Sequence, residues 1–231
     1  LGVEPLVGVN DGSGTPEEAA RWVEYCNGDE RTAMGARRAA NGHPHPYRVK
    51  YWEIGNEVWG PWQVGHCSAE AYARRYIRFA EAMKAVDPNI VLLACGHTDP
   101  AWNETVLDIA GEHIDYLTMH LYHGYAKFGF INGKASREEK YRAIVSFPEF
   151  TRRAVEQAEA LIKRRPHAGH VKLAITEHNT MYYPNTIRKG LPNEHTLEAA
   201  VANAGNLNEF LRSSRLIEIG CFSDLVNGWL G

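Results

Sequence analysis

The chain has 231 residues, 44% hydrophobic and 23% charged, with a formal net charge of -3 at pH 7. That is the composition of a soluble globular domain able to bury a sizeable core. It lacks the basic stripe of a nucleic-acid binder and any apolar run of roughly 18–20 residues that would span a membrane. Cys26, Cys67, Cys95 and Cys221 are scattered without a C-x-x-C pair, which predicts reduced thiols and favours a cytoplasmic protein over a disulfide framework or zinc site. The sequence opens at Leu1 in a strand-like run and is expected to be an excerpt of a longer chain.

In chain order, short apolar runs predict strands over Val3–Val9, Val49–Ile54, Ile90–Cys95, Ile114–Met119, Val171–Thr176 and Leu216–Phe222. Long amphipathic stretches separate them, the alternation of βα units on a parallel sheet covered on both faces. Thr15-Pro16-Glu17-Glu18 carries a helix start, with Ala19, Trp22, Val23 and Cys26 as its apolar positions and Asn27-Gly28 as its stop. Asp29–Pro46 reads as a loop excursion. A second helix starts at Ser68, presents Tyr72, Tyr76, Phe79 and Met83 on one side, and ends near Asp87-Pro88. Further helices are expected over Glu149–Arg165 and His195–Ser214, the latter with Leu197, Val201 and Leu207 inward, and a long loop over Tyr182–Asn193. The basic runs Arg37-Arg38, Arg152-Arg153 and Lys163-Arg164-Arg165 read as solvated helix faces.

In a barrel of βα units, chemistry collects where strands end. Those positions hold Glu53-Ile54-Gly55-Asn56-Glu57 after the second strand, His120-Leu121-Tyr122-His123 after the fourth, and Thr176-Glu177-His178-Asn179 after the fifth. A carboxylate at the end of a buried strand is costly without partners. Two of them opening into one mouth are what glycosidic cleavage needs, one to donate a proton and one to attack. Each alone also fits an ordinary capping or loop residue. Trp59 and Trp62, just past Glu57, suit a platform for a sugar face, and equally a loop packed on itself. His43, His45, His120 and His123 invite a metal reading, but no third ligand completes a zinc spacing, so neither metal nor cofactor is expected.

The runs Glu4-Pro5, Gly14–Ala20, Trp22–Asn27 and Tyr51–Glu57 resemble the α-L-arabinofuranosidases of glycoside hydrolase family 51, and the likeness continues through Asp115–Tyr122, Thr176–Asn179 and Leu225-Val226-Asn227. The resemblance implies an incomplete (β/α)8 TIM-type barrel: about strands 3 to 8, residues 1–231 forming a single catalytic barrel domain without the first two βα units and the C-terminal β-sandwich. It implies a retaining, exo-acting enzyme on arabinose-substituted hemicellulose or oligosaccharides, with Glu57 as general acid/base and Glu177 as nucleophile. Asn56 then matches the residue at the sugar 2-hydroxyl, Tyr122 an aromatic beside the nucleophile, and His120 a polar neighbour. His178 stands where the family has Trp, which is expected to alter the subsite wall. Another glycosidase of the same clan, an endoglucanase or β-xylosidase, and an inactive sugar-binding barrel fragment are the competing readings. Six strands of eight would leave unpaired edges, which three accounts can explain: portions of the protein missing from this sequence, a truncated gene, or two chains completing one another, and a homo-oligomer is expected.

Overall fold

The computed structural model describes residues 3–123, 136–180 and 196–223. The expected loop Tyr182–Asn193 and the motif Leu225-Val226-Asn227 lie outside them. The elements alternate as β1 (Leu6–Val9), α1 (Pro16–Asn27), α2 (Ala33–Ala40), β2 (Tyr51–Ile54), α3 (Ala69–Val86), β3 (Val91–Ala94), α4 (Pro100–Ala110), β4 (Tyr116–His123), α5 (Arg137–Val145), α6 (Phe147–Lys163), β5 (Lys172–Thr180), α7 (Leu197–Arg212) and β6 (Ile217–Phe222). The chain forms two compact units, Leu1–Thr118 with Leu161–Val171, and Met119–Ala160 with Lys172–Gly231. Strand β4 begins in the first and ends in the second.

In the first unit β1, β2, β3 and the start of β4 pair in parallel in that order, with Leu6 opposite Tyr51, Tyr51 opposite Val91 and Leu93 opposite Tyr116. The strands are largely apolar and covered: Trp52, Ile54, Leu92 and Leu93 are fully buried, and Glu53 of β2 is buried among them. Helix α3 lays Tyr72, Tyr76, Phe79 and Met83 on this sheet as its periodicity requires. Tyr72 then does what an aliphatic side chain could not. Its hydroxyl donates to Ile54 O and accepts from Cys95 N, both at 2.6 Å, tying the ends of β2 and β3 together where their ladder stops.

Helix α1 starts with the expected capping box: Thr15 Oγ1 accepts from Glu18 N at 3.2 Å and Glu18 Oε2 from Thr15 N at 2.9 Å. Ala19, Val23 and Cys26 are buried, whereas Trp22 remains 41% exposed and meets Trp52 edge-on at 5.7 Å. The excursion after α1 is more ordered than its composition suggested. It contains α2, capped by Thr32, and Arg38 on that helix is fully buried rather than solvated. Its guanidinium donates to four carbonyls, Tyr25 O, Gly28 O, His43 O and Pro44 O, at 2.7–3.0 Å. Arg165 likewise departs from the solvated reading, being buried against Asp108 and Glu104 at 2.6 and 3.0 Å.

In the second unit the end of β4, then β5 and β6, lie side by side in that order, with helices α5, α7 and α6 up to Ala160. Leu121, Ile144, Phe147, Leu173 and Ile175 form its core. His123 stacks on Phe147 and Phe150 and gives Nε2–H to Ala143 O at 2.9 Å, which commits that ring to packing. Helix α7 is rotated from the expected register. Ala199, Ala202, Asn206 and Phe210 face inward, while Leu197, Val201 and Leu207 are 79%, 50% and 46% exposed. The six strands with their intervening helices are part of a (β/α)8 barrel. No helix among the described residues is long and apolar enough to cross a membrane.

Candidate active site

The candidate residues form two sets, one in each unit. In the first, β2 ends at Ile54 and the chain turns sharply through Gly55 (φ 83°), Asn56 and Glu57 (φ 47°). A left-handed conformation is ordinary for glycine but costs a glutamate on the order of 1 kcal/mol or more, and non-glycine residues so held cluster at functional sites. Trp62 Nε1 donates to Glu57 Oε2 at 3.0 Å. Its indole folds back over the loop above Gly60, where a Cβ would lie 2.5 Å from the ring. Trp59 meets Trp62 edge-on at 5.4 Å, gives its own N–H to Gly96 O at 3.1 Å and packs on His97. Trp59 packs with the loop, and Trp62, 63% exposed, lies beside Glu57. Asn56 lines a cleft of about 490 Å³ together with Asn10, Asp11, Ser13, Glu53 and Gln63.

The second set lies on strands rather than beyond them. Strands β4 and β5 run on to His123 and Thr180, so His120, Tyr122 and Glu177 are held by sheet pairing. In β4, His120 and Tyr122 share one face by simple alternation, and Leu121 and His123 are buried on the other. In β5 alternation breaks. Its pairing with β6 steps from Ile175–Gly220 to His178–Phe222, three residues against two. The extra residue is a bulge, and it leaves both Thr176 and Glu177 half-exposed in succession. His120 accordingly reaches both: Nε2 lies 3.2 Å from Thr176 Oγ1, and Nδ1 3.5 Å from Glu177 Oε2.

Tyr122 completes the carboxylate's surroundings. Its hydroxyl lies 2.5 Å from Glu177 Oε2 and 2.5 Å from Ser223 Oγ. A phenol has one hydrogen to give; with it directed to the carboxylate, Tyr122 accepts from Ser223. Ser223 is in turn fixed through its backbone, its N donating to His178 O at 3.1 Å and its O accepting from Asn179 Nδ2 at 3.2 Å. Neither Ser223 nor the bulge was legible beforehand. The available signal was chemical: a tyrosine aimed at a carboxylate retains acceptor capacity that some donor must fill.

His178, expected to alter the subsite wall, is almost fully buried. It is buried edge-on between Phe210 and Phe222, with Asn206 Nδ2 3.4 Å from its Nδ1 and Thr151 hydrogen-bonded to Asn206. Burial pushes its pKa down to about 4, so it is neutral at pH 7.

Residues 2–142 match the family described as the alpha-L-arabinofuranosidase 1 domain. The alpha-L-arabinofuranosidase C of Emericella nidulans is 33% identical over 98% of this chain and 47% of its own length. The intracellular exo-alpha-(1->5)-L-arabinofuranosidase of Halalkalibacterium halodurans is 29% identical over 98% of this chain and 47% of its own. Among solved structures, the GH51 alpha-L-arabinofuranosidase of Thermotoga petrophila superposes with a TM-score of 0.86 at 35% identity, covering 98% of this chain and 44% of that one. The chain spans about half the length of the curated relatives it matches. It belongs to the α-L-arabinofuranosidases of glycoside hydrolase family 51.

Proposed function

We propose that the protein is a retaining, exo-acting α-L-arabinofuranosidase that removes arabinose from hemicellulose side chains or oligosaccharides. The observation that carries this reading is the Tyr122–Glu177–His120 cluster: a strand-borne carboxylate, re-aimed by a bulge and held by a phenol at 2.5 Å. A nucleophile needs its attacking oxygen fixed in line with the anomeric carbon, and a short hydrogen bond to the neighbouring oxygen does that. Family membership supports the substrate class.

The reaction is a double displacement. Glu177 attacks the anomeric carbon while Glu57, protonated, gives its proton to the departing glycosidic oxygen, and an arabinosyl ester of Glu177 forms. Glu57, now ionised, takes a proton from water, the water oxygen attacks the same carbon, and the ester bond breaks to return the Glu177 carboxylate. Asn56 binds the 2-hydroxyl, Trp62 offers its exposed face to the leaving-group side, and His120 and Tyr122 orient Glu177. The chemistry requires no cofactor.

Nitrophenyl α-L-arabinofuranoside tests the assignment. Glu177→Ala is expected to abolish turnover, and Glu57→Ala to lose it but recover in part with azide, which attacks the ester without base assistance. Proton NMR of the first product should show retained configuration. Equal activity of wild type and Glu177→Ala, or an inverted product, would defeat the reading. We also place the protein in the cytoplasm as a homo-oligomer. The scattered cysteines and the intracellular relative support the compartment.

A further inference from the structure

The loop that carries Glu57 is gripped from outside itself. Asp11, two residues past β1, is buried, with a side chain 4% exposed, and Arg75 of α3 places Nη2 2.7 Å from its Oδ2. The same Arg75 nitrogen donates to Gly65 O at 2.9 Å and touches Cys67 Sγ at 3.4 Å. The carboxyl of Asp11 lies flat on the turn: a Cβ on Gly55 would sit 3.0 Å from its Cγ and Oδ1, and one on Gly65 3.3 Å from Oδ1. Beside it, the backbones of Gly12 and Gly65 approach so closely that a Cβ on Gly12 would fall 2.7 Å from Gly65 N. Between these two points run Asn56, Glu57 and Trp62, with the loop closed on itself by Gly60 N to Glu57 O at 2.7 Å and Cys67 N to Val58 O at 3.0 Å.

We propose that the Asp11–Arg75 pair is a positioning device for the Gly55-Asn56-Glu57 turn, holding the acid/base carboxyl where the leaving oxygen must meet it. The proposal rests on the reading of Glu57 as the proton donor. Stability alone does not account for the pair. A buried ion pair is often no better for folding than apolar residues of the same volume. Arg75 Nε, moreover, is buried without a hydrogen-bond partner among the described residues. Burial also raises the Asp11 carboxyl above its ordinary range, with Arg75 pulling it back. What the pair supplies is location. It joins the segment just past β1, the second turn of α3 and both ends of a loop whose acid residue sits in a strained conformation. Asp11 and Arg75 act through Glu57 and contact no reacting atom.

The test uses a property specific to an acid catalyst. A dinitrophenolate leaves without protonation, whereas an alkoxide does not, so loss of a well-placed acid harms only the poorer leaving group. Asp11→Ala, Asp11→Asn and Arg75→Met are to be compared with wild type by kcat/KM, which reads the first displacement, on dinitrophenyl and methyl α-L-arabinofuranosides. Asp11→Ala is expected to lose about 100-fold on the methyl glycoside, the scale of a misplacement near 1 Å, and to leave the dinitrophenyl substrate nearly unchanged. Asp11→Asn, which keeps the shape and an acceptor for Arg75, should recover part of the loss. Equal losses on both substrates, or none on either, would overturn the proposal. Glu57→Gln separates the two levels. If it shows the leaving-group selectivity and the Asp11 and Arg75 variants do not, the positioning role alone fails. If Glu57→Gln itself lacks the selectivity, the acid assignment fails and takes the positioning role with it. Should Asp11→Ala not fold, Asp11→Asn and Arg75→Met carry the comparison. A crystal structure of either in which the Glu57 carboxyl superposes on wild type would also overturn it.

Discussion

Tyr122 and His178 are both placed by the same pair of strands, and their surroundings set opposite fates for polar side chains. Tyr122 reaches the half-exposed carboxylate of Glu177, and the hydrogen bond it gives is charge-assisted. Removing a bond of that kind costs about 1.5–3 kcal/mol, so Tyr122→Phe is expected to lower kcat/KM on nitrophenyl arabinofuranoside by roughly 10- to 100-fold, with far-ultraviolet circular dichroism unchanged. An unaltered kcat/KM would show that Glu177 is oriented by other groups. His178 faces the helices and stays neutral, with a pKa near 4 in the folded chain against about 6.5 in an unfolded one. Because the depressed value belongs to the folded state, the unfolded chain takes up the proton first as the medium acidifies. Stability is therefore complete above about pH 6.5 and declines between there and pH 4, by an amount on the order of 2 kcal/mol. His178→Gln, which keeps an acceptor for Asn206, should flatten that decline in thermal melts between these limits; parallel curves would refute the linkage.

At the scale of elements, what the sequence revealed followed from periodicity, and what it concealed followed from partners distant in the chain. Helix α3 announced its buried face because Tyr72, Tyr76, Phe79 and Met83 recur at helical spacing. Helix α7 did not, because its inward face is made of alanines, Asn206 and Phe210 while larger aliphatics point outward. Hydrophobicity ranks side chains, and here small ones fill the narrow space under the helix. Glu57 and Glu177 are singled out in the sequence by their places at the ends of strand-like runs, although β5 runs on past Glu177 to Thr180. The bulge that turns Glu177 outward was not, since it is defined by the count of residues on β6 opposite. Arg38 was misjudged for a similar reason. Its partners are carbonyls of α1, of the turn after it and of the loop past α2, none of which marks the sequence locally. Arg38→Met should strand those buried acceptors and destabilise the chain by about 3 kcal/mol or more, read as a lower urea midpoint. A solvated arginine would have cost at most about 0.5 kcal/mol, and that result would contradict the burial described.

At the scale of the whole molecule, the strands keep one parallel order, β1-β2-β3-β4-β5-β6, with β1 paired to β2 alone and β6 to β5 alone among the described residues. Parallel barrels close by pairing their first strand with their last, and this chain covers about half the length of the curated relatives it matches.

The left-handed backbone at Glu57 carries a consequence for anyone evolving this protein. Asparagine accepts that conformation far more readily than glutamate, so Glu57→Asn should release on the order of 1 kcal/mol of strain and raise the melting temperature while extinguishing turnover. Selection for heat resistance alone would therefore drift toward inert survivors, and a library from this scaffold needs a simultaneous screen for sugar release.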